Sequence, residues 1–267
     1  MNEANLKNEV ASYWNKEACG TNITLAKKYT KEYFGEIEEF RYRIEPEIFS
    51  FAQFTRYRNQ KVLEVGIGAG TDFLQWVRAG TKAYGIDLTE EAVEHVKNRL
   101  NMFGLSAEEV RVADAENLPY EDDFFDLVYS WGVIHHSPDT LKALSEIIRC
   151  TKRGGAIKIM IYNRRSLYAL YKYLRFGLFR GKPFRSISDI LYHHQESIGT
   201  KAFTMSEIKK ILSKYEVEIK RINANATNYD LLWDKPLIFR LLAYILACLF
   251  GFKKCGWFMT IDLKKKL

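Results

Sequence analysis

The chain has 267 residues, 47% of them hydrophobic, and a formal net charge of +7, so it can bury a full core and fits one enlarged domain better than two. Its four cysteines, Cys19, Cys150, Cys248 and Cys255, form no C-x-x-C pair and no zinc spacing with histidine, which argues against a metal module and suits a reduced cytosol. The first residues, Met1-Asn-Glu-Ala-Asn-Leu-Lys7, have neither the basic start nor the apolar core of a signal peptide, and a cytoplasmic location is expected.

Before Lys61, apolar residues at three- and four-residue steps predict helices over 3–14, 23–34 and 46–57. These helices are expected to cover a sheet rather than join it, and Tyr13, Trp14, Phe34, Phe40, Tyr42 and Phe51 make the cover aromatic. Lys61 to Val65 has the apolar, β-branched character of a central parallel strand. Gly66, Gly68 and Gly70 follow at every second position, ahead of a helix predicted over 71–79. Glycine at that spacing permits positive φ and lets backbone N–H groups approach a ligand. Thr71 stands where a dinucleotide fingerprint has its third glycine, which counts against an NAD(P)-dependent oxidoreductase. A strand ending at Asp87, a helix over 90–102 capped by Thr89 and stopped at Gly104, strands over 110–113 and 125–130, a helix over 138–150 and a strand over 156–162 continue the alternation. Crossovers of that length imply parallel pairing.

Past Tyr162 the chain departs from a minimal α/β pattern. No Asp or Glu occurs between Arg149 and Ser188, and residues 164–184 form a basic, aromatic insertion with apolar residues at helical spacing. A helix is predicted over 206–212, and strands over 215–223 and 256–263. Between those strands, 236–252 is almost entirely apolar, yet its uncharged part runs only from Leu241 to Phe252, too short to span a bilayer. Burial, self-association and contact with an anionic membrane through 236–254 and the basic insertion remain as readings of this helix.

The order of an acid, Glu64, then three alternating glycines resembles motif I of the class I S-adenosylmethionine (SAM)-dependent methyltransferases. Asp87, the stretch Asp114-Ala-Glu-Asn-Leu-Pro-Tyr120, the strand Phe125-Asp-Leu-Val-Tyr-Ser-Trp131 and the turn Lys152-Arg-Gly-Gly155 resemble the family's later motifs, with Arg153 where proline is usual. Together they cover Lys61 to Tyr162, and the small-molecule, quinone-methyltransferase-like members (type 11) are the best fit. The resemblance implies an α/β, Rossmann-like fold: a seven-stranded mixed sheet of order 3-2-1-4-5-7-6. It divides the chain into a helical cover, 1–58, and a methyltransferase domain, 59–267, with an acceptor-side insertion over 164–205. It also implies SAM as cofactor, held by Glu64, Gly66, Gly68, Gly70, Asp87, Leu88, Asp114, Ala115 and Ser130.

An acceptor that loses a proton near the transition state needs a base, and histidine suits neutral pH. Two pairs, His135-His136 and His193-His194, are the catalytic candidates, and no metal site is expected because neighbouring histidines do not fix a ligand geometry. Tyr13, Trp14, Trp131, Tyr162, Asn163, Arg164 and Tyr168 are the candidate acceptor contacts. The expected function is methyl transfer to a small hydrophobic or amphipathic acceptor, with oxygen or carbon favoured over nitrogen. The alternative is an rRNA or tRNA methyltransferase using the basic 149–188 region. Against it, Ser130-Trp-Gly-Val133 is not the Asn/Asp-Pro-Pro-Tyr/Phe box of base methylation, and no catalytic Pro-Cys is present.

Overall fold

The computed structural model describes residues 3–16 and 20–267; Cys19 lies outside them. Seven strands form one sheet in the order β3-β2-β1-β4-β5-β7-β6, as expected. They are β1 (Lys61–Val65), β2 (Lys82–Asp87), β3 (Glu109–Val112), β4 (Phe125–Trp131), β5 (Thr151–Tyr162), β6 (Val217–Asn223) and β7 (Phe258–Lys265). Strands β1 to β5 pair in parallel, and β7 runs antiparallel between β5 and β6. Strand β5 begins five residues earlier than its apolar run, because Thr151 already pairs with Phe125 across an irregular register.

Alternation in the central strands divides the core between the two faces. Val62, Leu127, Tyr129 and Trp131 face one side, with Ile48, Phe73, Trp76, Val96 and Leu100. Leu63, Val65, Val128 and Ile159 face the other, with Ala143, Ile147, Ile208 and Leu212. The first side is therefore covered by helices α3 (Glu47–Ala52), α4 (Thr71–Arg78) and α5 (Glu90–Met102), and the second by α6 (Thr140–Cys150) and α9 (Met205–Leu212).

The cover differs from its predicted form. Helix α1 is Glu3–Asn15, but the second helix, α2, is Lys31–Ile44. Thr30 sets that start: its hydroxyl accepts from the Tyr33 N–H, and Tyr29 before it has a left-handed φ of 67°. The stretch predicted over 46–57 breaks at Gln53, φ 58°, into α3 and a 3-10 turn, Phe54–Tyr57. Beyond β5, the insertion folds into α7 (Leu167–Phe176) and α8 (Ile187–His194), and α10 (Leu237–Phe250) joins β6 to β7. Burial is not the state of α10, for only Ala243 and Ala247 within it are buried.

Two buried polar side chains of α5 fasten the cover to the glycine loop. Arg99, fully buried, donates to the Ala69 carbonyl at 3.0 Å, to Thr71 Oγ1 at 2.9 Å and to Glu38 Oε2 of α2 at 3.0 Å. Breaking a buried pair from one side leaves the partner uncompensated, so Arg99→Met should destabilise the fold by about 3–5 kcal/mol, measured by chemical denaturation. His95, also fully buried, lies 3.1 Å from Tyr33 Oη of α2. Burial, helped by the Arg99 and Lys28 charges, pushes it down to about 4. The unfolded chain binds that proton near pH 6.5, so His95 contributes stability fully above pH about 6.5 and loses it as pH falls to about 4. His95→Gln should thus be the less stable protein at pH 7, and the gap should close by up to about 3 kcal/mol over that interval in denaturation series.

Candidate active site

One cleft of about 1130 Å³, its open mouth included, runs along the carboxyl ends of β1, β2 and β4, the edge where α/β sheets bind ligands. Its floor is the glycine loop. Gly66, Gly68 and Gly70 have φ of 80°, 48° and 71°. A Cβ on Gly66 would stand 2.2 Å from Val133 Cγ2, and one on Gly70 2.6 Å from Val96 Cγ2. The N–H groups of Gly66 and Ile67 already donate to the Ile86 carbonyl, and that of Gly68 to Asp87. The glycines here therefore serve backbone conformation and close packing rather than donation by these groups to a ligand.

Asp87 fixes this loop to the next helix. Its Oδ2 accepts from Gly68 N at 3.0 Å, and Oδ1 accepts from Thr89 N and Oγ1 at 3.0 and 2.9 Å. Burial raises its carboxyl above the ordinary aspartate value, against the pull of these bonds. A carboxylate has about four acceptor positions, so Oδ2 keeps one for a hydroxyl in the cleft. Glu64, under the loop, is buried with one carboxyl oxygen unpartnered. Burial first, and then Asp72, raise it well above the ordinary glutamate value.

The walls come from the cover and from β4. Arg41 Nη2 of α2 pairs with Asp72 Oδ2 at 2.9 Å, and Asp72 also accepts from Tyr42 Oη and Tyr129 Oη. Glu45 lies 3.4 Å from Arg41 and accepts from Trp131 Nε1 at 2.8 Å. Lys7 of α1 reaches across the mouth to Asp114 and Glu116, at 2.6 and 2.5 Å. Burial lowers Lys7, but these bonds outweigh it and hold the ammonium above its ordinary value. His136 and Trp14 line the cleft with ring centroids 5.4 Å apart. Nδ1 of His136 lies 3.0 Å from Ser197 Oγ and from Thr200 Oγ1, and Nε2 lies 3.2 Å from Glu196 Oε2.

Residues 63–159 match a family model described as a methyltransferase domain. Phosphoethanolamine N-methyltransferase 2 of Caenorhabditis elegans is 33% identical across 106 residues, 39% of this chain and 24% of that protein. Malonyl-acyl-carrier-protein O-methyltransferase of Erwinia billingiae is 32% identical across 124 residues, 46% of this chain and 47% of that protein. The chain therefore spans between about a quarter and a half of the length of these curated relatives. The geranyl diphosphate C-methyltransferase of Streptomyces coelicolor, solved with S-adenosyl-L-homocysteine, has the same fold: TM-score 0.66, 15% identity, 97% of this chain and 98% of that chain covered. Residues 63–159 therefore carry a methyltransferase domain, in a chain with the class I SAM-dependent methyltransferase fold.

Within this domain, Glu64, Gly66, Gly68, Asp87, Leu88, Asp114 and Ala115 all line the cleft, with Trp14, Trp131 and His136. Other candidates lie elsewhere. Gly70 caps α4, and Ser130 is fully buried in β4 with an unpartnered hydroxyl. His135 is fully buried, and neither ring nitrogen has a hydrogen-bond partner. Burial, then the charges of His136 and Lys201, push it well below the ordinary histidine value, and its ring packs 3.9 Å from that of Tyr162.

His193 and His194 end α8, away from the cleft lining, the first beside Asp189 and the second stacked on Phe176. Tyr13 is exposed against Trp14. Tyr162 Oη donates to Glu196, Asn163 Nδ2 donates to the Gly256 carbonyl, Arg164 pairs with Glu207, and Tyr168 packs beside Trp257. Sequence reasoning missed Lys7, Arg41, Asp72 and Glu196. Only Asp72, directly after the glycine motif, carried a positional signal.

The cleft chemistry fits the cofactor: a carboxylate with a spare acceptor position at Asp87, apolar Leu88 beside it, and acidic Asp114 beyond. Asp87→Ala should weaken S-adenosylhomocysteine binding by roughly 1.5–3 kcal/mol in isothermal titration, with NAD(H) binding to neither protein.

Proposed function

We propose that this chain transfers a methyl group from SAM to a small hydrophobic or amphipathic acceptor, at oxygen or carbon, in the part of the cleft bounded by α1, Trp131 and His136. The cover over 1–58 would close that space upon the domain over 59–267. The observation that carries the reading is the continuity of one cleft: from Asp87 and the glycine loop to an aromatic, histidine-bearing end, with Trp14, Trp131 and His136 on its walls. Aromatic faces with one polar edge suit a flat or branched apolar body.

When bound, SAM supplies a methyl carbon already activated by a positive sulfur. Asp87 would hold ribose hydroxyls and Leu88 would pack on the adenine. Asp114 would take the adenine edge once Lys7 yields it. Arg41, the cleft cation nearest the glycine motif in its pairing with Asp72, would face the carboxylate end.

The chain's own chemistry is then orientation and proton handling. The one hydroxyl proton of Thr200 is held between the carbonyls of Gln195 and Ser197, which turns the lone pairs of Oγ1 toward Nδ1 of His136 and favours a proton on that nitrogen. Nε2, the nitrogen left to take the acceptor's proton, lies 3.2 Å from Glu196, whose carboxylate would accept the N–H of the imidazolium so formed. Burial raises the Glu196 carboxyl, but the facing His136 ring and the Tyr162 hydroxyl hold it below the ordinary range, so it stays an anion at neutral pH.

Part of the charge of the 149–188 region is already matched within the chain, which weakens the case for a nucleic-acid substrate. Arg149 is taken up by Glu146 and Asp122, Lys152 by Asp126, Lys158 by Asp262 and Arg164 by Glu207. With an acceptor found by screening amphipathic alcohols, acids and enols, His136→Asn should lower kcat about 10²- to 10⁴-fold. Glu196→Gln should lower it less, and calorimetric affinity for S-adenosylhomocysteine should hold in both. Unchanged kcat in His136→Asn removes the proton-transfer role, and turnover of RNA alone removes the small-molecule reading.

A further inference from the structure

Helix α10 is apolar nearly all round, and most of it stands outside the core. Ala247, with Leu246 beside it, seats the helix against Leu167 and Cys255, and Ala243 one turn before is its other buried residue. Around the rest of its circumference Leu237, Ile238, Leu242, Ile245, Leu249 and Phe250 are 54–75% exposed. A partner helix or a second copy covers one stripe of a helix; side chains exposed in nearly every direction need an apolar medium on all those sides. The helix has 14 residues, about 21 Å at 1.5 Å per residue, against a hydrocarbon core of about 30 Å. Among the described residues no helix is long and apolar enough to cross a membrane.

Charge selects the medium. No Asp or Glu lies between Lys235 and Ile261, where Arg240, Lys253 and Lys254 are basic. Trp233 and Phe252, at the two ends of the segment, are 39% and 36% exposed, and aromatic side chains favour the headgroup level. Helix α7 packs against α10, and the turn after α7 exposes Phe179 and Phe184 among Arg175, Arg180 and Lys182. Two copies meeting through such a surface would bring like charges together, whereas an anionic bilayer would neutralise them.

We propose that α10 and the cations at its ends form a docking surface for an anionic lipid bilayer, the helix lying in the headgroup layer. This goes beyond the methyl-transfer reading and does not depend on it. The test is flotation of the purified chain with vesicles of phosphatidylcholine, alone or mixed with phosphatidylglycerol, at low and high salt, with light scattering for oligomeric state. The wild type should float with the mixed vesicles and lose most of that binding at high salt. Lys253→Glu/Lys254→Glu should bind the mixed vesicles at least about tenfold more weakly, in line with roughly 1 kcal/mol per cation near the surface. Leu242→Ser/Ile245→Ser/Leu249→Ser, all at exposed positions, should not float and should keep the wild-type melting curve. The proposal is overturned if the wild type floats with neither vesicle, if the triple variant floats as well as the wild type, or if the wild type is a vesicle-indifferent dimer that the triple variant makes monomeric.

Discussion

The guanidinium of Arg99 is the junction on which the site depends. It lies wholly inside the protein and touches the glycine loop, the first turn of α4 and α2 of the cover at once. An arginine in such a position needs its charge matched, since a buried charge left alone costs several kcal/mol; both Nη groups are bonded, while Nε has no hydrogen-bond partner. Its partners are backbone carbonyls at Ala69 and Phe34, the Thr71 hydroxyl and the Glu38 carboxylate. The loop that shapes the cleft floor and the helix that walls it are thus held by one rigid planar group. On the far side of the loop, Asp72 does the reverse: one anion gathers Arg41, Tyr42 and Tyr129. Cover and sheet are joined by matched charges around a backbone that only glycine can form.

The sheet was legible because its signals are local. Apolar runs ended by Gly or Asp, crossovers of helical length and a capped helix at Thr89 specify β1 to β5 without tertiary information. The cover was less legible, since apolar residues at Ile23 and Ala26 extend the helical period backwards, while the helix start depends on a Thr30 cap and a left-handed Tyr29 that periodicity does not register. His95 and Arg99 escaped notice for a related reason. On a helix read by its apolar stripe, polar residues are assigned to solvent, and their burial becomes visible only when α2 lies over them.

The site was half legible. Glu64, Asp87, Leu88, Asp114 and Ala115 follow from the resemblance of the motifs that hold them, and the structure brings them to one cleft. Lys7 and Arg41, which reach the cleft from elsewhere, and Glu196, which faces His136 of its wall, follow from packing. The two histidines after β4 illustrate the limit. Adjacent in sequence, they occupy opposite environments: His135 is a neutral ring packed on Tyr162, while His136 has both nitrogens engaged and faces the cleft. Identical side chains one residue apart differ because a turn sends one inward and the other along the surface of the cleft.

Strands β6 and β7 are antiparallel neighbours, which a short turn could join, yet residues 224–257 lie between them. The root of this excursion is fixed. Asp230 accepts from Thr227, Trp257 and Tyr168, Asn228 donates to the Ile44 carbonyl, and the Ala226 N–H meets the Phe252 carbonyl at 2.6 Å. Everything beyond that neck, α10 included, is a loop whose ends already meet. Because closure entropy rises only slowly with loop length, the segment over 234–251 can be lengthened, shortened or exchanged without moving a strand register. If α10 docks as proposed, the segment is an interchangeable cassette: replacing one helix would change the surface on which the domain rests, and leave no trace in the motifs by which the domain is recognised.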